Sequence, residues 1–187
     1  MSESPIAPLA RARFVVTLPP APSAVSAELE RLSGQSFATH TNTKDAFLHL
    51  ARRAKSHLVV MTPFLDSSGA TWAADLFEAT EAESKTLILR GLDQLSNFST
   101  AASRLKQSSV HVLSYAMLHH KGDGQPYEET FHAKVVLADG VAAYVGSANF
   151  LYRSRETNLE CGFLLEGVAV APVSIMVDAL LSVLLPS

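Results

Sequence analysis

The sequence predicts an α/β fold with a mixed, largely parallel β-sheet that carries helices on both faces. Between residues 43 and 115, segments with helical and strand-like spacing of apolar residues alternate, three of each kind. This alternation favours parallel strands, because each helix carries the chain back along the sheet. After residue 129, three strand-like runs follow closely. Asp139-Gly140 between the first two is a strong hairpin signal, which makes the sheet mixed.

Local signals place the elements of the first two thirds of the chain. Residues 1–22 end in a proline-rich stretch, and we expect them to form an extended or loosely attached arm. Ser23 is a candidate cap for a helix to about Leu32, where Gly34 would end it, and Thr43 opens a second helix. The following segments predict a strand at 57–62, a helix at 69–82, a strand at 85–90, a helix at 95–106 and a strand at 110–115.

The last third is expected to hold a polar loop, three strands and a terminal helix. Residues 117–129 are polar and predict a loop at the mouth of a cleft. Strand-like runs follow at 130–138, 142–146 and 159–165. The apolar run 168–185 is interrupted by Pro172 and Asp178, which favours a packed terminal helix over a membrane span. This helix and Trp72 are expected to lie in the core or in a dimer interface.

Composition describes an ordinary globular protein with one domain, predicted over residues 23–187. Of the 187 residues, 48% are hydrophobic and 18% charged, which suffices for a core. The net charge of −3 argues against coating nucleic acid by bulk electrostatics but allows a local basic cleft. Cys161 is the only cysteine, and its apolar surroundings predict a buried structural thiol. The N-terminus lacks the continuous apolar stretch of a secretory signal, so we expect a cytoplasmic protein without stable membrane insertion.

A set of polar and small residues stands at fixed spacings in the last third of the sequence. The set comprises His132, Lys134, Asp139, Gly146, Ser147 and Asn149. Residues two apart on a strand project from one face, so we expect His132 and Lys134 to share a face opposite buried Val135 and Leu137. The hairpin then brings the end of the next strand back beside them.

The returning strand is expected to complete a phosphate-binding site. At Gly146 the absence of a side chain would let the backbone approach a ligand. Ser147 and Asn149 then supply hydrogen bonds to phosphate oxygens, while Lys134 supplies positive charge. Asp139 lies at the turn, and we expect it to fix the hairpin rather than contact substrate.

These spacings resemble the HxKx4Dx6GSxN signature of the phospholipase D superfamily at every specified position. Such a match arises by chance on the order of 10⁻⁸ per start site at ordinary residue frequencies, so the resemblance is specific. It covers roughly residues 40–187 and includes Thr62-Pro63-Phe64 after a buried strand. The resemblance implies a phospholipase D-like fold. It also implies that Glu160, eleven residues past Asn149, is the carboxylate that orients the histidine.

Histidine chemistry gives this motif a mechanism that needs no metal and no cofactor. A neutral imidazole of His132 would attack phosphorus and form a phosphohistidine. A second histidine must protonate the leaving oxygen and later deprotonate water. The superfamily usually draws it from a second copy of the motif, but this sequence has one copy. We therefore expect a homodimer that shares one active site across a two-fold axis.

Four further residues are candidates of lower specificity. Arg153 and Arg155 follow the motif closely and could contact additional phosphates; exposed connecting residues are the alternative. His119 and His120 could suggest a metal site, yet no third ligand stands at a convincing spacing, and a loop lining the cleft is the preferred interpretation.

Three functions remain compatible with the sequence. The leading hypothesis is a phosphodiesterase acting on nucleic acid. The second is an accessory or binding module of a multi-protein system, such as bacterial defence against phage, with weak or dispensable activity and unknown partner proteins. The third is a phospholipid phosphodiesterase. Because members of one fold share chemistry more readily than substrate, the fold does not choose among them.

Overall fold

The computed structural model describes residues 10–33 and 42–185. Gly34, expected to end the first helix, lies outside these ranges. The strands are β1 (Arg11–Thr17), β2 (His57–Met61), β3 (Ser84–Leu89), β4 (His111–Ser114), β5 (Ala116–His120), β6 (Pro126–Thr130), β7 (Lys134–Ala138), β8 (Ala142–Gly146) and β9 (Glu160–Glu166). The helices are α1 (Ala24–Ser33), α2 (Thr43–Arg53), α3 (Ser67–Glu78), α4 (Asp93–Ser96), α5 (Ser99–Gln107), α6 (Tyr152–Glu156) and α7 (Ala171–Leu184). A 3-10 turn, Gly167–Val170, precedes α7.

Seven strands form one sheet in the order β1-β9-β8-β7-β2-β3-β4, and β5 and β6 form a separate hairpin. The α/β class with a mixed sheet and helices on both faces is confirmed. The sheet contains parallel pairs, as expected, but it is not largely parallel. Only the β2–β3 and β3–β4 pairs are parallel, and the other pairs in this sheet are antiparallel. The reason is that crossover helices connect only the first strands, whereas β7, β8 and β9 return directly.

Residues 1–22 were expected to form an extended or loosely attached arm; residues 11–17 are extended, but they are not loosely attached. These residues form β1, which pairs with the whole length of β9 at the edge of the sheet. Phe14 lies opposite Phe163, and the two rings meet edge to face at 5.7 Å between centroids. This long-range pairing holds the segment in the fold.

Two further boundaries differ from the sequence predictions. The polar segment 117–129 is mostly a β-hairpin, in which the His119 ring stacks on Tyr127 and its Nε2 lies 2.7 Å from Oε2 of Glu129. The predicted helix at 95–106 is divided into α4 and α5, with Phe98 between them. The hairpin is stabilised by contacts between side chains across its strands rather than by burial. Its mostly polar sequence therefore lacks the apolar alternation from which strands are predicted.

The sheet has a hydrophobic core on each face. On one face, side chains of α2, α3 and α5 pack on the sheet, and Phe47, Trp72 and Phe150 form a buried aromatic cluster. The prediction that Trp72 is a core residue is confirmed. On the other face, α7 packs through Val177 against a core that includes Val135 and Leu137. Burial is therefore extensive on the first face and limited on the second, where one helix covers the sheet.

The terminal helix is less packed than the sequence predicts. Within α7 only Val177 is buried, and several apolar side chains remain exposed. Gly167–Leu184 is long and apolar enough to cross a membrane by length and composition, a test that the core helix of a water-soluble protein also passes. Among residues 10–33 and 42–185, no element covers one side of α7.

Candidate active site

The motif residues meet at one edge of the large sheet. The edge contains the amino ends of β7 and β9 and the carboxyl ends of β2 and β8, because β7 and β9 run antiparallel to their neighbours. Lys134 pairs with Gly146 in the register of the β7–β8 hairpin. The hairpin turn predicted at Asp139-Gly140 is confirmed, and both residues have positive φ, of 53° and 68°. This turn fixes the alignment that brings the two ends of the motif together.

His132 and Lys134 form a close pair, although they are not both on a strand as expected. β7 begins at Lys134, and exposed His132 lies in the short segment between β6 and β7. The Lys134 ammonium nitrogen Nζ lies 2.9 Å from Nδ1 and 3.2 Å from Nε2 of His132, and it donates to the His132 carbonyl oxygen at 2.8 Å. Since an ammonium can only donate, the ring nitrogen that it contacts must accept. The predicted proximity is therefore present.

Lys134 is an unusual lysine because its side chain is taken out of water. The residue is only 5% exposed. Burial lowers the pKa of Lys134, while the negative charge of Glu160 acts to raise it. A buried ammonium gains from an anionic ligand, because burial has removed its hydration. The site therefore contains a fixed positive charge beside an exposed imidazole, an arrangement suited to a phosphate diester.

Ser147 and Glu160 form a second pair at this edge. Exposed Ser147 donates its hydroxyl hydrogen to Oε2 of Glu160, and its Oγ accepts from the backbone N–H of Cys161 at 3.1 Å. Asn158 donates to Oε1 of Glu160 at 3.2 Å. In the described part of the chain, no hydrogen bond joins Glu160 to His132. Within one protomer Glu160 thus orients Ser147, and its expected action on His132 stays a prediction.

Asn149 presents an unpaired polar atom at the site. Its Oδ1 is buried without a hydrogen-bond partner among the described residues. Buried polar atoms are rarely left unpaired, because the lost hydration costs about 1–3 kcal/mol. An amide turned by half a rotation presents its NH₂ group in the same place with little change of shape. The amide of Asn149 therefore has capacity for one more hydrogen bond, and its predicted bond to phosphate stays a prediction.

The loop after β2 holds the Asn149 segment in place, and sequence reasoning missed most of these contacts. Thr62 Oγ1 accepts from the backbone N–H of Phe150 at 3.2 Å. Asp66 accepts from the N–H groups of Gly69 at 2.7 Å and Tyr152 at 2.8 Å. Asp66 could have been found as the cap of α3, since aspartate favours that position. Its second bond, to Tyr152, comes only from the tertiary fold.

Phe64 is another site residue that the motif did not assign. It belongs to the Thr62-Pro63-Phe64 segment, and its ring lies edge-on to the His132 imidazole at 5.8 Å between centroids. The ring is 40% exposed, so its free surface faces the solvent beside His132. Phe64 therefore restricts the imidazole and extends the apolar border of the site.

Position 146 requires a glycine for a different reason from the one expected, which was the close approach of a ligand. A Cβ atom built at Gly146 would lie 2.2 Å from the Tyr144 hydroxyl oxygen and 2.6 Å from the Cys161 carbonyl oxygen. The same ring crowds Gly162 on β9, whose Cβ would lie 2.7 Å from it. Burial raises the pKa of the Tyr144 phenol to about 12. The two glycines make room for this buried tyrosine, so the backbone approach at Gly146 is to protein.

Asp139 has the structural role that the sequence predicts, and a wider one. Its carboxylate accepts from the backbone N–H groups of Lys55, Ser56 and His57 at 2.9, 2.9 and 2.8 Å. Burial acts to raise the pKa of Asp139, but these three donors, with His57, bring the pKa below its ordinary value. Asp139 therefore fixes the start of β2 at the end of the sheet opposite His132.

The remaining candidates lie outside this group of side chains. Arg155 donates to Glu156 at 2.6 Å and lines a hollow between α2 and α3 with Lys44 and Trp72, so the structure does not bring it to the motif. Arg153 is exposed in α6, and its contact with phosphate stays a prediction.

Cys161 and the two histidines of the hairpin are also placed differently from expectation. The prediction of a buried thiol at Cys161 is wrong, because the residue is exposed on β9, beside Ser147. His119 is engaged with Tyr127 and Glu129, and His120 ends β5. Among the described residues, no group of three or more His, Cys, Asp or Glu side chains could hold a metal ion.

Comparisons with known proteins agree with this geometry. A family model described as cardiolipin synthase, PLD-like domain, matches residues 47–174, which is well over half of the chain. No match was found among curated proteins. The structure is similar to the phospholipase D family member Nuc from Salmonella typhimurium, with TM-score 0.51, 13% identity and coverage of 92% of this chain and 90% of that one.

Two other solved structures share the fold. NucT from Helicobacter pylori matches with TM-score 0.57 and 13% identity over 96% of this chain and 98% of that chain. Phosphatidylserine synthase from Haemophilus influenzae Rd KW20 matches with TM-score 0.52 and 15% identity, over 91% of this chain but 38% of that one. At these identities the likeness concerns the fold alone. The motif geometry, the fold and the family match agree, and the chain belongs to the PLD-like domain family of the phospholipase D superfamily, a superfamily of phosphodiesterases.

Proposed function

We propose that this protein is a metal-independent phosphodiesterase that cleaves nucleic acid through a phosphohistidine, at a site shared by two copies. The observation that carries the proposal is the contact between exposed His132 and the buried ammonium of Lys134. The ammonium provides a fixed positive charge that attracts the phosphate. The imidazole is exposed, so a phosphate can approach it from solvent. Ser147, which donates to Glu160, and the unpaired amide of Asn149 are the further groups that we assign to the phosphate.

The reaction requires a second acid–base group. A nitrogen of His132 attacks phosphorus, and the bond from phosphorus to the leaving oxygen breaks. The leaving oxygen takes a proton from another histidine, which later removes a proton from the water that hydrolyses the phosphohistidine. The described ring contacts of His132 are with Lys134 and Phe64, and His119 is engaged in the hairpin. The partner's His132 is therefore our candidate for the second histidine, as expected from the single motif.

A polymeric substrate is favoured by the openness of this edge. His132 and Ser147 are both exposed at the margin of the sheet, so a chain of phosphodiesters could lie across them. The second candidate is a phospholipid, because an apolar groove of about 310 Å³ adjoins the motif at Ala133. An accessory module with dispensable activity is the third, and a cytoplasmic location belongs to the proposal as well.

Cleavage assays in EDTA test the proposal directly. The substrates are bis(p-nitrophenyl) phosphate, single-stranded DNA, duplex DNA, RNA and phosphatidylcholine vesicles. We expect the wild type to cleave the generic diester and at least one nucleic acid at an unchanged rate in EDTA, and His132→Ala to be inactive while folded. Cleavage of vesicles alone would favour the lipid alternative, and no cleavage of any substrate would favour the accessory module. Full activity of His132→Ala would overturn the mechanism.

Mixed dimers test the sharing of the site. Wild-type and His132→Ala chains with different affinity tags are refolded together, and the doubly tagged species is purified. Because each site needs both histidines, this species should have severely reduced activity. Half of the wild-type activity would instead show that each chain works alone.

A further inference from the structure

One side of α7 is apolar and open to solvent. Ile175 is 69% exposed and Val183 54% exposed, and Met176 is exposed between them. The opposite side of the helix packs on the sheet through Val177 and Leu181. Both sides of α7 are therefore apolar, one buried and one exposed. The exposed side lacks the charged face that a surface helix usually turns to water.

The exposed side of α7 borders a groove that reaches the motif. The groove has a volume of about 310 Å³ and is lined by Met61, Tyr115, Phe131, Ala133, Met176, Ala179, Leu180 and Val183. Phe131 and Ala133 flank His132 in the sequence, so the segment that carries His132 also lines the groove, on the α7 face of the sheet. Whatever covers the groove must also come close to His132.

The charge of this surface restricts what can cover it. The lining of the groove contains no charged residue, and α7 carries no lysine or arginine and one carboxylate, Asp178. An anionic membrane or a nucleic acid would meet no cation in the groove lining or on α7. An apolar surface with few charges is typical of the core of an interface between protein subunits.

We propose that the exposed side of α7 and the adjoining groove form the contact between two copies of this chain. The inference rests on the proposed function, because a shared site needs the partner's His132. A partner that brings its His132 to the same phosphorus must approach Phe131 and Ala133, which flank His132 and line the groove. In a two-fold arrangement the same patch lies on both sides of the axis. Val183 and Met176 of each copy then bury apolar surface against the other copy.

Matched substitutions test this surface in the full-length protein. Val183→Glu places a charge in the groove, and Ile175→Glu places one at the more exposed position of the same helix side. Val141→Glu is the control, because Val141 is also a valine, is 49% exposed and lies in the turn at the end of the sheet opposite His132. Light scattering and sedimentation give the dissociation constant of the dimer, and circular dichroism with thermal melting confirms folding.

We expect the dimer dissociation constant to rise at least about tenfold in Val183→Glu and Ile175→Glu, since an interface disfavours a buried unpaired charge. Val141→Glu should match the wild type. The activity of the two α7 variants should fall at low protein concentration and recover as concentration rises. If Val183→Glu fails to fold, Ile175→Glu decides, because its side chain makes less contact with the core.

The other outcomes separate this inference from the proposed function. If both α7 variants dimerise and cleave substrate as the wild type does, α7 is not the contact between copies. The proposed shared site would not be affected by that result. A wild-type protein that is monomeric and active would overturn both. Binding of the wild type to vesicles of phosphatidylcholine and phosphatidylglycerol that the α7 variants lose, with the oligomeric state unchanged, would assign α7 to a lipid surface and overturn the subunit contact.

Discussion

The ring of Phe64 lies edge-on to the imidazole of His132, with 5.8 Å between the ring centroids and an angle of 70° between the planes. The contact joins the loop after β2 to the segment before β7, which are far apart in sequence. It fixes one side of an imidazole whose other contact is the Lys134 ammonium. Phe64 is therefore a positioning residue for the proposed nucleophile.

Phe64→Leu should lower kcat by about 2- to 10-fold with little change in KM, because an aromatic pair contributes about 0.5–1.5 kcal/mol beyond burial. Phe64→Tyr should retain most of the wild-type kcat. Tyr127→Leu is the control, an exposed aromatic residue of the β5–β6 hairpin that contacts His119 instead. Steady-state kinetics on a generic diester provides both constants. A change confined to KM would show that Phe64 contacts substrate and does not position His132.

Activity should fall on the alkaline side at a pH below 10.5, the ordinary pKa of a lysine. Burial lowers the pKa of Lys134, so the ammonium loses its proton earlier as pH rises. Glu160 opposes this shift, and Glu160→Gln should move the alkaline limb of kcat to still lower pH. Profiles of kcat against pH for the wild type and for Glu160→Gln measure the alkaline limb of each protein. A limb that stays in place in Glu160→Gln would assign the titration to another group.

The Lys134 ammonium should also make the free energy of unfolding depend on pH. This free energy should rise over the pH range in which activity falls. Between the lowered pKa of Lys134 in the native state and 10.5, the unfolded chain holds a proton that the folded chain has released. The contribution of Lys134 to the free energy of unfolding therefore rises with pH in that window and is constant below it. Denaturant unfolding of the wild type and of Lys134→Met across this window isolates the contribution by subtraction. A difference that does not depend on pH would contradict the lowered pKa.

Asp139→Ala should cost on the order of 2–3 kcal/mol of unfolding free energy, because the carboxylate accepts three backbone N–H groups. The pKa of Asp139 is lowered in the folded state, so its contribution is present above the unfolded value, about 3.9, and is lost as pH falls through the native value. Urea unfolding of both proteins at neutral and acid pH tests this. His132→Ala is the control, with lost activity and near wild-type stability. A pH-independent difference between wild type and Asp139→Ala would rule out the charge as the cause.

Binding of nucleic acid should weaken steeply with salt, with a slope set by the few phosphates contacted. Arg153→Ala should reduce affinity for all sequences alike and lower that slope, because phosphate contacts carry no base information. Arg155→Ala is the matched control, since Arg155 is paired with Glu156 and turned toward α2 and α3. Fluorescence anisotropy with labelled oligonucleotides at several salt concentrations gives both slopes. Equal effects of the two substitutions would contradict the placement of Arg155.

The sequence was sufficient for the motif geometry because short-range rules determine it. The turn at Asp139-Gly140 aligns two strands, and the strand lengths then bring Lys134 opposite Gly146. The helix start predicted at Thr43 likewise agrees with α2. Each of these predictions depends on contacts between residues that are close in sequence or joined by one hairpin.

Contacts between distant residues were not predictable in the same way. β1 is stabilised by pairing with β9, almost the whole chain away, and nothing in its own residues specifies that partner. Glu160 was expected to contact His132, yet Ser147 and Asn158 lie nearer in the fold. The hairpin of β5 and β6 is stabilised by His119, Tyr127 and Glu129, whose polar character predicts a loop.

The crowding around Tyr144 links three positions that the motif treats separately. Gly146 belongs to the signature, whereas Gly162 lies on the next strand and carries no assigned role, yet both face the same phenol ring. A larger residue at either glycine would require a smaller one at position 144. Positions 144, 146 and 162 should therefore change together when this domain diverges. A relative with a side chain at position 162 would need a different way to fill the core beneath its catalytic edge.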